Sequence, residues 1–230
     1  RPSTRWSAAK SSVPLWKCEW SMSIELVTTD GVFALDGGEW EVTNNIWLVG
    51  DDREVMIFDA AHDHQPIVDA VNGRRVTAIV LTHGHNDHIN AASALRDAVD
   101  APILLHPDDR MLWDVVYPDS SPDGDVVPGA TLIAGGHEVA VIHTPGHSPG
   151  CCCFHDLASS RLLSGDTLFC GGPGATGRSY SDEPTILRSI RDRLLTLPGD
   201  TIVHTGHGDS TVIDDERTRI LDRIAELDVD

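Results

Sequence analysis

Short apolar runs separated by polar residues dominate the chain, and many of them are rich in β-branched residues, as strands are. In the first half we predict strands over Ile24–Thr28, Val32–Leu35, Asn45–Val49, Val55–Phe58, Val76–Leu81 and Pro102–Leu105. In the second half we predict strands over Val139–His143, Cys151–Phe154, Arg161–Ser164 and Thr201–His204. Turn sequences such as Asp36-Gly37-Gly38 separate neighbouring runs, because these residues favour tight turns.

Segments with helical spacing of apolar residues alternate with the strands. Predicted helices cover His64–Val71, about Asn90–Val99, Pro107–Val115, Pro184–Leu197 and about Asp214–Leu227. Strand runs and helices in both halves indicate a mixed α/β (α+β) fold. They favour two sheets packed face to face with helices outside, a four-layer αββα sandwich. Spacing alone does not separate this architecture from other mixed α/β ones.

Composition narrows the classes of partner. The chain has 230 residues, of which 40% are hydrophobic and 23% charged, as in ordinary globular proteins. No apolar run approaches the roughly 20 residues that span a bilayer. A formal net charge of −19 argues against nucleic acid as a partner, since phosphate binding needs a basic surface. We therefore expect a cytoplasmic protein with a small-molecule partner and no membrane partner, and we leave the oligomeric state open.

The first 21 residues differ from the rest. Both lysines of the chain, Lys10 and Lys17, lie there, in a segment that is basic while the remainder is acidic. The segment lacks an apolar core of the length that a secretory signal needs. We interpret residues 1–21 as a disordered N-terminal extension, with Met22 as the true beginning, and residues 22–230 as a single domain.

The five cysteines do not predict a disulfide framework, because their number is odd and the chain is long. Cys151, Cys152 and Cys153 are consecutive on a predicted strand, where side chains alternate between faces. They cannot all bind one metal, and we expect them to be small buried apolar side chains. Cys170 is closer to the chemistry described below and is given no role.

One segment concentrates metal-ligand chemistry. His83, His85, Asp87 and His88 lie within six positions, directly after the apolar run Val76–Leu81. A strand that ends in such a cluster presents nitrogen and oxygen ligands at the edge of a sheet. The sequence therefore predicts a metal site at this edge.

Three later segments repeat this arrangement of an apolar strand, a glycine and a ligand-type residue. They place His147 after Val139–His143, Asp166 after Arg161–Ser164, and His207 after Thr201–His204. Four strand ends thus supply seven candidate ligands. Seven is more than one metal needs and suits two metals that share a carboxylate.

The order and spacing of these residues resemble the metallo-β-lactamase superfamily, from Ser23 to the C-terminus. The resemblance implies that His83, His85 and His147 hold a first metal. It also implies that Asp87, His88 and His207 hold a second metal, with Asp166 bridging the two. Asp59, after the strand Val55–Phe58, matches the aspartate that supports the metal-binding loop, where a carboxylate accepts the free N–H of a ligand histidine.

Within that superfamily the chain resembles the glyoxalase II branch, because a bridging carboxylate at Asp166 fits that branch better than typical β-lactamases. This implies a dinuclear hydrolase in which a hydroxide bridging two divalent ions attacks a thioester, with Asp87 as the catalytic carboxylate. We expect zinc, although iron and manganese accept the same ligands. The C-terminal helical domain of glyoxalase II is not found after His207, so the thiol-binding surface is expected to differ.

Arg178 and Tyr180 follow a glycine-rich loop and are the predicted substrate contacts, with Arg178 facing an anionic group. The preference for arginine over lysine indicates a GC-rich source, which favours a mycothiol thioester as substrate. The alternatives are a mononuclear iron persulfide dioxygenase and a lactone or β-lactam hydrolase of the same fold. A nuclease is disfavoured by the acidic charge, and a non-catalytic binding protein by the complete set of ligands.

Overall fold

The structure is a computed structural model that describes residues 23–229. The predictions made for residues 1–21 and the statement on Met22 lie outside this range. The strands are β1 (Ser23–Leu35), β2 (Gly38–Gly50), β3 (Glu54–Phe58), β4 (Arg75–Val80), β5 (Ile103–Leu105), β6 (Gly124–Asp125), β7 (Thr131–Ala134), β8 (His137–His143), β9 (Cys152–Asp156), β10 (Arg161–Gly165), β11 (Leu168–Phe169), β12 (Gly172–Pro173), β13 (Ile202–Thr205) and β14 (Thr211–Val212). The helices are α1 (Gln65–Val71), α2 (Asn86–Ile89), α3 (Ala92–Val99), α4 (Arg110–Val116), α5 (Glu183–Ser189) and α6 (Ile213–Glu226).

Two six-stranded sheets form the framework of the described residues. The first has the order β1-β2-β3-β4-β5-β6 and the second the order β14-β13-β10-β9-β8-β7. In the first sheet β3, β4, β5 and β6 are parallel neighbours, and in the second β10 and β13 are. The remaining neighbours within both sheets are antiparallel.

Strict alternation of side chains places the sheets face to face. In β3, Met56 and Phe58 belong to the core between the sheets, whereas Val55 and Ile57 face the opposite side. The inner side chains meet Phe154 of the second sheet, whose ring lies 4.9 Å from that of Phe58. Both faces of these strands are buried, which explains why they are continuous apolar runs rather than alternating ones.

Helices cover the two outer faces. Helices α1, α3 and α4 pack on the first sheet through side chains such as Ile67, Leu95 and Trp113. Helices α5 and α6 pack on the second sheet through Ile186 and Ile220. The order helix, sheet, sheet, helix confirms the predicted αββα sandwich. Within residues 23–229, no helix is long and apolar enough to cross a membrane.

Two short strands predicted near the beginning are one long strand. The prediction placed a break between Thr28 and Val32, but β1 continues through Gly31 and pairs with β2 along its whole length. A Cβ at Gly31 would lie 2.1 Å from the His62 ring. The glycine is therefore needed for this close approach and not for a turn, so the prediction of a break was wrong.

One predicted helix is confirmed and another is divided. The helix predicted over about Asn90–Val99 is confirmed by α3, whereas the short α2, which lies before it inside the metal-ligand segment, was not predicted. The predicted helix Pro184–Leu197 is α5 followed by a π-helical turn over Ile190–Leu194.

The cysteine prediction is confirmed for the described part: Cys152 faces the core between the sheets and Cys153 the core on the other side.

Candidate metal centre

The carboxyl ends of β3, β4, β10 and β13, together with the loop after β8, meet at one edge of the sandwich. Three imidazoles converge there first. Nε2 of His83 lies 3.0 Å from Nδ1 of His85, and Nε2 of His147 lies 2.9 Å from the same atom. All three side chains are buried. Their ligand atoms lie within 4.8 Å of one another, close enough to share one metal ion.

Acceptors around two of these rings decide which nitrogen faces inward. Nδ1 of His147 lies 2.8 Å from the carbonyl oxygen of Ala175, which can only accept, so this nitrogen carries the proton. The Thr82 hydroxyl donates to Asp59 and therefore accepts from Nδ1 of His83 at 3.0 Å. In both rings Nε2 is left with its lone pair directed at the cluster, which is the form that binds a cation.

Asp87, His88 and His207 form a second group of three. Nε2 of His207 lies 3.3 Å from Oδ2 of Asp87 and 3.2 Å from Nε2 of His88. Nδ1 of His207 lies 2.8 Å from the carbonyl oxygen of Thr43 and donates a hydrogen bond to it, because a carbonyl oxygen can only accept. This second group presents two imidazole nitrogens and a carboxylate to one point.

Asp166 lies between the two groups. Its Oδ2 is 3.5 Å from Nε2 of His147 in the first group and 3.5 Å from Nε2 of His207 in the second. Three buried atoms of the cluster have no hydrogen-bond partner within the described chain: Oδ1 of Asp166, Oδ1 of Asp87 and Nε2 of His85. Unpaired buried oxygens are costly. The two carboxylate oxygens and the converging lone pairs fit a site built for positive charge.

Asp59 supports the loop that carries the first ligands. Its Oδ1 accepts the backbone N–H of Thr82 at 2.7 Å, and its Oδ2 accepts from Nδ1 of His88 at 2.8 Å. Asp59 is buried and adopts a positive φ of 67°. The structure therefore places it beneath the cluster, in hydrogen-bond contact with one candidate ligand.

The histidines of the two groups of candidate ligands differ in pKa. Burial lowers the pKa of His85 to about 3, with His147 adding to the effect. Burial also acts to lower the pKa of His207, but the carboxylates of Asp166 and Asp87 outweigh it and raise that pKa to about 10. The pKa of Asp166 is held well below its ordinary value, because His88 and His207 outweigh the effect of burial. Positive charge is thus favoured beside the carboxylates.

A further cluster, His106, Asp108 and His143, also brings three ligand-type atoms within 4.8 Å. The two imidazole rings are stacked, with centroids 4.3 Å apart and an interplanar angle of 11°. A metal lies in the plane of each imidazole that binds it, and two stacked parallel rings cannot share such a position. This cluster is therefore packing and not a metal site.

Arg178 lies beside the centre on an aromatic surface. Its guanidinium carbon is 3.7 Å above the Trp40 ring and 5.7 Å from the Phe33 ring. The Phe33 ring is in turn 5.2 Å from that of His85. Tyr180 is 55% exposed and makes no hydrogen bond to the cluster within the described residues. The Phe33 ring thus connects Arg178 to the candidate ligand His85, and no such connection is seen for Tyr180 among the described residues.

Polar contacts hold the outer part of the β1–β2 hairpin over this surface. The Asn86 side chain donates to the carbonyl oxygen of Val32 and accepts from the N–H of Ala34, each at 2.8 Å. On the other side the N–H of Ser179 donates to the Asp36 carboxylate at 2.9 Å. The hairpin is thereby tied both to the metal-ligand segment and to the loop that carries Arg178.

Asn44 was missed by the sequence analysis. It is fully buried, and its amide nitrogen lies 3.2 Å from Oδ2 of Asp87 and 3.5 Å from Nε2 of His207. Its oxygen lies 2.8 Å from Nε2 of His62. Two consecutive asparagines in a predicted strand, Asn44 and Asn45, were the available signal. Phe33 and Trp40 carried no signal, because hairpin aromatics are common in surface strands.

Comparison with known proteins places this geometry in a family. The profile of the metallo-beta-lactamase superfamily matches residues 40–207. A probable metallo-hydrolase of Bacillus subtilis, YqgX, is 33% identical over 182 residues, covering 73% of this chain and 86% of that protein.

Two solved structures show the same fold. BLEG-1, described as a B3 metallo-beta-lactamase, superposes with a TM-score of 0.70 at 30% identity, covering 83% of this chain and 97% of that chain. TTHA1623, described in a di-iron-bound form, superposes with a TM-score of 0.66 at 31% identity, covering 76% and 93%. With the matching profile and the ligand-type residues gathered at one sheet edge, the chain belongs to the metallo-beta-lactamase superfamily.

Proposed function

We propose that this protein is a dinuclear metal-dependent hydrolase that cleaves a thioester of a low-molecular-weight thiol. The observation that carries the proposal is the convergence of five imidazoles and two carboxylates on one buried point, where Oδ1 of Asp87 and Oδ1 of Asp166 have no hydrogen-bond partner among the described residues. Such a donor set is expensive to bury unless a cation compensates it. Membership of a superfamily that includes a probable metallo-hydrolase supports hydrolysis as the reaction.

The residues divide between two ions. His83, His85 and His147 would hold the first, Asp87, His88 and His207 the second, and Asp166 would touch both. Bound there, divalent cations lower the pKa of a coordinated water toward neutrality and polarise a carbonyl oxygen. Imidazole-rich sites accept zinc and iron, and the carboxylates also permit manganese. Zinc is our first expectation, and the di-iron relative makes iron the first alternative.

Asp87 is the proposed catalytic carboxylate. Asn44 donates to its Oδ2 at 3.2 Å, which fixes the orientation of the side chain. Its Oδ1 has no partner within the described residues and is free to orient the attacking water and accept its proton. Leaving-group protonation is less demanding for a thiolate, whose conjugate acid has a pKa of about 8.5. This chemistry favours thioesters over amides.

Substrate recognition is assigned to the surface next to His85. Stacking on Trp40 covers the flat face of the Arg178 guanidinium and leaves its N–H edges for an anionic group. Phe33 supplies an apolar contact between that group and the reacting carbonyl. Tyr180, which is exposed two residues after Arg178, is the second proposed substrate contact. A mycothiol thioester is the proposed substrate.

The test is a hydrolysis panel run on protein whose metal content has been measured first. It contains an S-acyl mycothiol, an S-acyl glutathione, a lactone and a β-lactam, with His64→Ala as an exposed-histidine control and His207→Ala as the site variant. We expect two ions per chain, turnover of thioesters and loss of turnover in His207→Ala only. Cleavage of lactones or β-lactams with intact thioesters would overturn the substrate assignment.

The BLEG-1 relative makes β-lactam hydrolysis the second candidate, and the same panel includes it. A mononuclear iron dioxygenase would reveal itself differently. One iron per chain, with oxygen consumed in the presence of a persulfide, contradicts the dinuclear hydrolase. Oxygen-electrode measurements on the metal-quantified protein distinguish the two reactions directly.

A further inference from the structure

Asp109 connects two loops that come from different sheets. It is fully buried. Its Oδ2 accepts from the backbone N–H of Gly84 at 2.8 Å and from the hydroxyl of Ser148 at 2.6 Å. Its Oδ1 accepts from the backbone N–H of Gly150 at 2.6 Å. Three donors thus saturate one carboxylate, two of them on the loop that contains His147.

The donors are neighbours of candidate ligands in the chain. Gly84 lies between His83 and His85, and Ser148 follows His147. The first segment continues from β4 of the first sheet, and the second lies between β8 and β9 of the second sheet. A carboxylate bonded to both loops fixes the distance between the two parts of the first group of ligands.

Close packing makes this connection stiff. A Cβ on Gly84 would lie 3.0 Å from the Asp109 carbonyl oxygen and 2.8 Å from Cβ of Leu112. A Cβ on Gly150 would lie 2.7 Å from Cγ of Asp109. Asp109 itself is the last residue of a 3₁₀ turn leading into α4, whose Trp113 is part of the hydrophobic core. Neither loop can move relative to Asp109 without breaking short contacts.

The second group of ligands is held by other contacts. His88 bonds to Asp59, His207 to the carbonyl oxygen of Thr43, and Asp87 to Asn44. None of these contacts involves Asp109. A backbone bond from the N–H of Cys152 to the carbonyl oxygen of Thr82 also joins the two loops, at 2.9 Å, below the level of the ligands. Removing Asp109 therefore loosens the first group while this bond keeps the loops adjacent.

We propose that Asp109 is a positioning residue that sets the geometry of His83, His85 and His147 and thereby the affinity for the first ion. This inference rests on the proposed function, in which these three histidines bind that ion. The two accepting oxygens of the Asp109 carboxylate matter as well as the shape of the side chain. An amide at this position would turn an NH2 group toward one of the three donors, so at least one hydrogen bond is lost.

The variant Asp109→Asn tests the proposal by metal affinity. Asp156→Asn is the matched control, because Asp156 is also a buried carboxylate that accepts from three groups: Nδ1 of His137, the Ser159 hydroxyl and the N–H of Ala158. It is the last residue of β9, at the end opposite Cys152. Both variants lose hydrogen bonds in the interior, but only Asp109→Asn acts on the ligand loops.

Co²⁺ titrations followed by visible absorption separate the two ions. In a His207→Ala background they report the first site, and in a His147→Ala background the second. We expect Asp109→Asn to lower the Co²⁺ affinity of the first site about 10- to 100-fold. The Co²⁺ affinity of the second site should stay within a factor of about two. Asp156→Asn should lower the melting temperature with both affinities retained.

Unchanged affinity at the first site, or equal weakening of both sites, overturns the proposal. If Asp109→Asn does not fold, Ser148→Ala decides, because it removes one donor and keeps the carboxylate. Ser148→Ala should lower the Co²⁺ affinity of the first site severalfold. Wild-type affinities in this variant also overturn the proposal. A wild-type chain that binds two ions but cleaves nothing in the panel contradicts only the substrate assignment. A wild-type chain that binds no Co²⁺ overturns both.

Discussion

Asp59 and His88 are joined by a 2.8 Å hydrogen bond between the carboxylate Oδ2 and Nδ1 of the imidazole. Because the same oxygen also accepts the Thr82 hydroxyl at 2.9 Å, one carboxylate at the end of β3 holds both Thr82, which precedes the ligand segment, and His88, which ends it. The bond leaves Nε2 of His88 directed toward the cluster. The orientation of a candidate ligand is thus set by a residue 29 positions earlier in the chain.

Replacing Asp59 with asparagine should weaken the binding of the second ion. An amide has one accepting oxygen, so it cannot accept both the Thr82 backbone N–H, which reaches Oδ1, and Nδ1 of His88, which reaches Oδ2. An amide nitrogen turned toward His88 removes the bond that orients its ring. We expect about a 10- to 100-fold lower affinity for that ion, measured by competition with a chromophoric chelator. Asp63→Asn, at an exposed aspartate four residues on, is the control. Wild-type affinity in Asp59→Asn would contradict the role assigned to the carboxylate.

Asp166→Ala should abolish turnover. The side chain is the one carboxylate in the described site that approaches a histidine of each group, at 3.5 Å in both cases. Without it the two ions would lose a shared ligand and the negative charge that offsets their mutual repulsion. We expect the rate to fall by at least about a hundredfold and the metal content to fall below two per chain. Turnover equal to that of the exposed-site control Asp192→Ala would contradict the role of Asp166 as a shared ligand.

Arg178→Ala should raise KM and leave kcat nearly unchanged, because an anion contact remote from the reacting carbonyl binds substrate and transition state alike. The expected increase is about tenfold, equivalent to about 1.4 kcal/mol. Arg178→Lys should recover only part of it, since an ammonium group cannot stack flat on Trp40. The control is Arg217→Ala on α6. A fall in kcat at constant KM would exclude substrate binding as the function of Arg178.

Gly146→Ala should destabilise the protein and disturb the first site together. Gly146 has φ of 135°, and a Cβ there would lie 2.2 Å from the backbone nitrogen of Ile186. Gly177 has φ of 89° with nothing within 4 Å of its Cβ position. We expect Gly177→Ala to cost about 1–2 kcal/mol, and Gly146→Ala about 3 kcal/mol or more because overpacking adds to the strain. Urea denaturation measures both, and equal costs would refute the steric argument.

His204 should make the protein sensitive to mild acid. Burial, aided by the positive charge of Arg161, lowers its pKa to about 4 from an ordinary value of 6.5. The folded state then binds fewer protons than the unfolded state, so the stabilisation is complete above pH 6.5 and is lost as the pH falls toward 4. The contribution is on the order of 3 kcal/mol.

The variant His204→Gln removes the titrating group. Its free energy of unfolding should be lower than that of the wild type at pH 7 but should fall less between pH 6.5 and 4. Denaturation of chelator-treated protein at several pH values measures the difference, with His64→Gln as an exposed control. Parallel pH profiles for His204→Gln and the wild type would show that His204 is not responsible.

The layered fold was largely predictable because its strands are short, apolar and separated by turn residues. The local errors have two causes: tertiary contacts overrode a local signal, or the element was too short to give one. Gly31 was interpreted as a break, whereas the His62 ring needs the space of its missing Cβ. Short strands such as β6 and β12 were not predicted, because two residues carry no periodicity.

The candidate ligands were predictable for a different reason: histidines and aspartates repeated after four strands are rare by chance. The residues that orient them were less visible. Asp109 follows another aspartate at the beginning of a helix, a position where acidic residues are common for local reasons. Its three donors lie 25 to 41 residues away in the chain, so only the folded structure reveals their convergence.

The hairpin contacts to Asn86 and Ser179 have a consequence for how substrate preference can change. The outer part of the hairpin, which carries Phe33 and Trp40, is held by a few polar bonds, while the buried root of β2 anchors it in the core. We therefore expect that residues 32–40 can be exchanged as a block with little cost in folding. New specificities are expected to arise by replacing this segment, while the histidines beneath it stay unchanged.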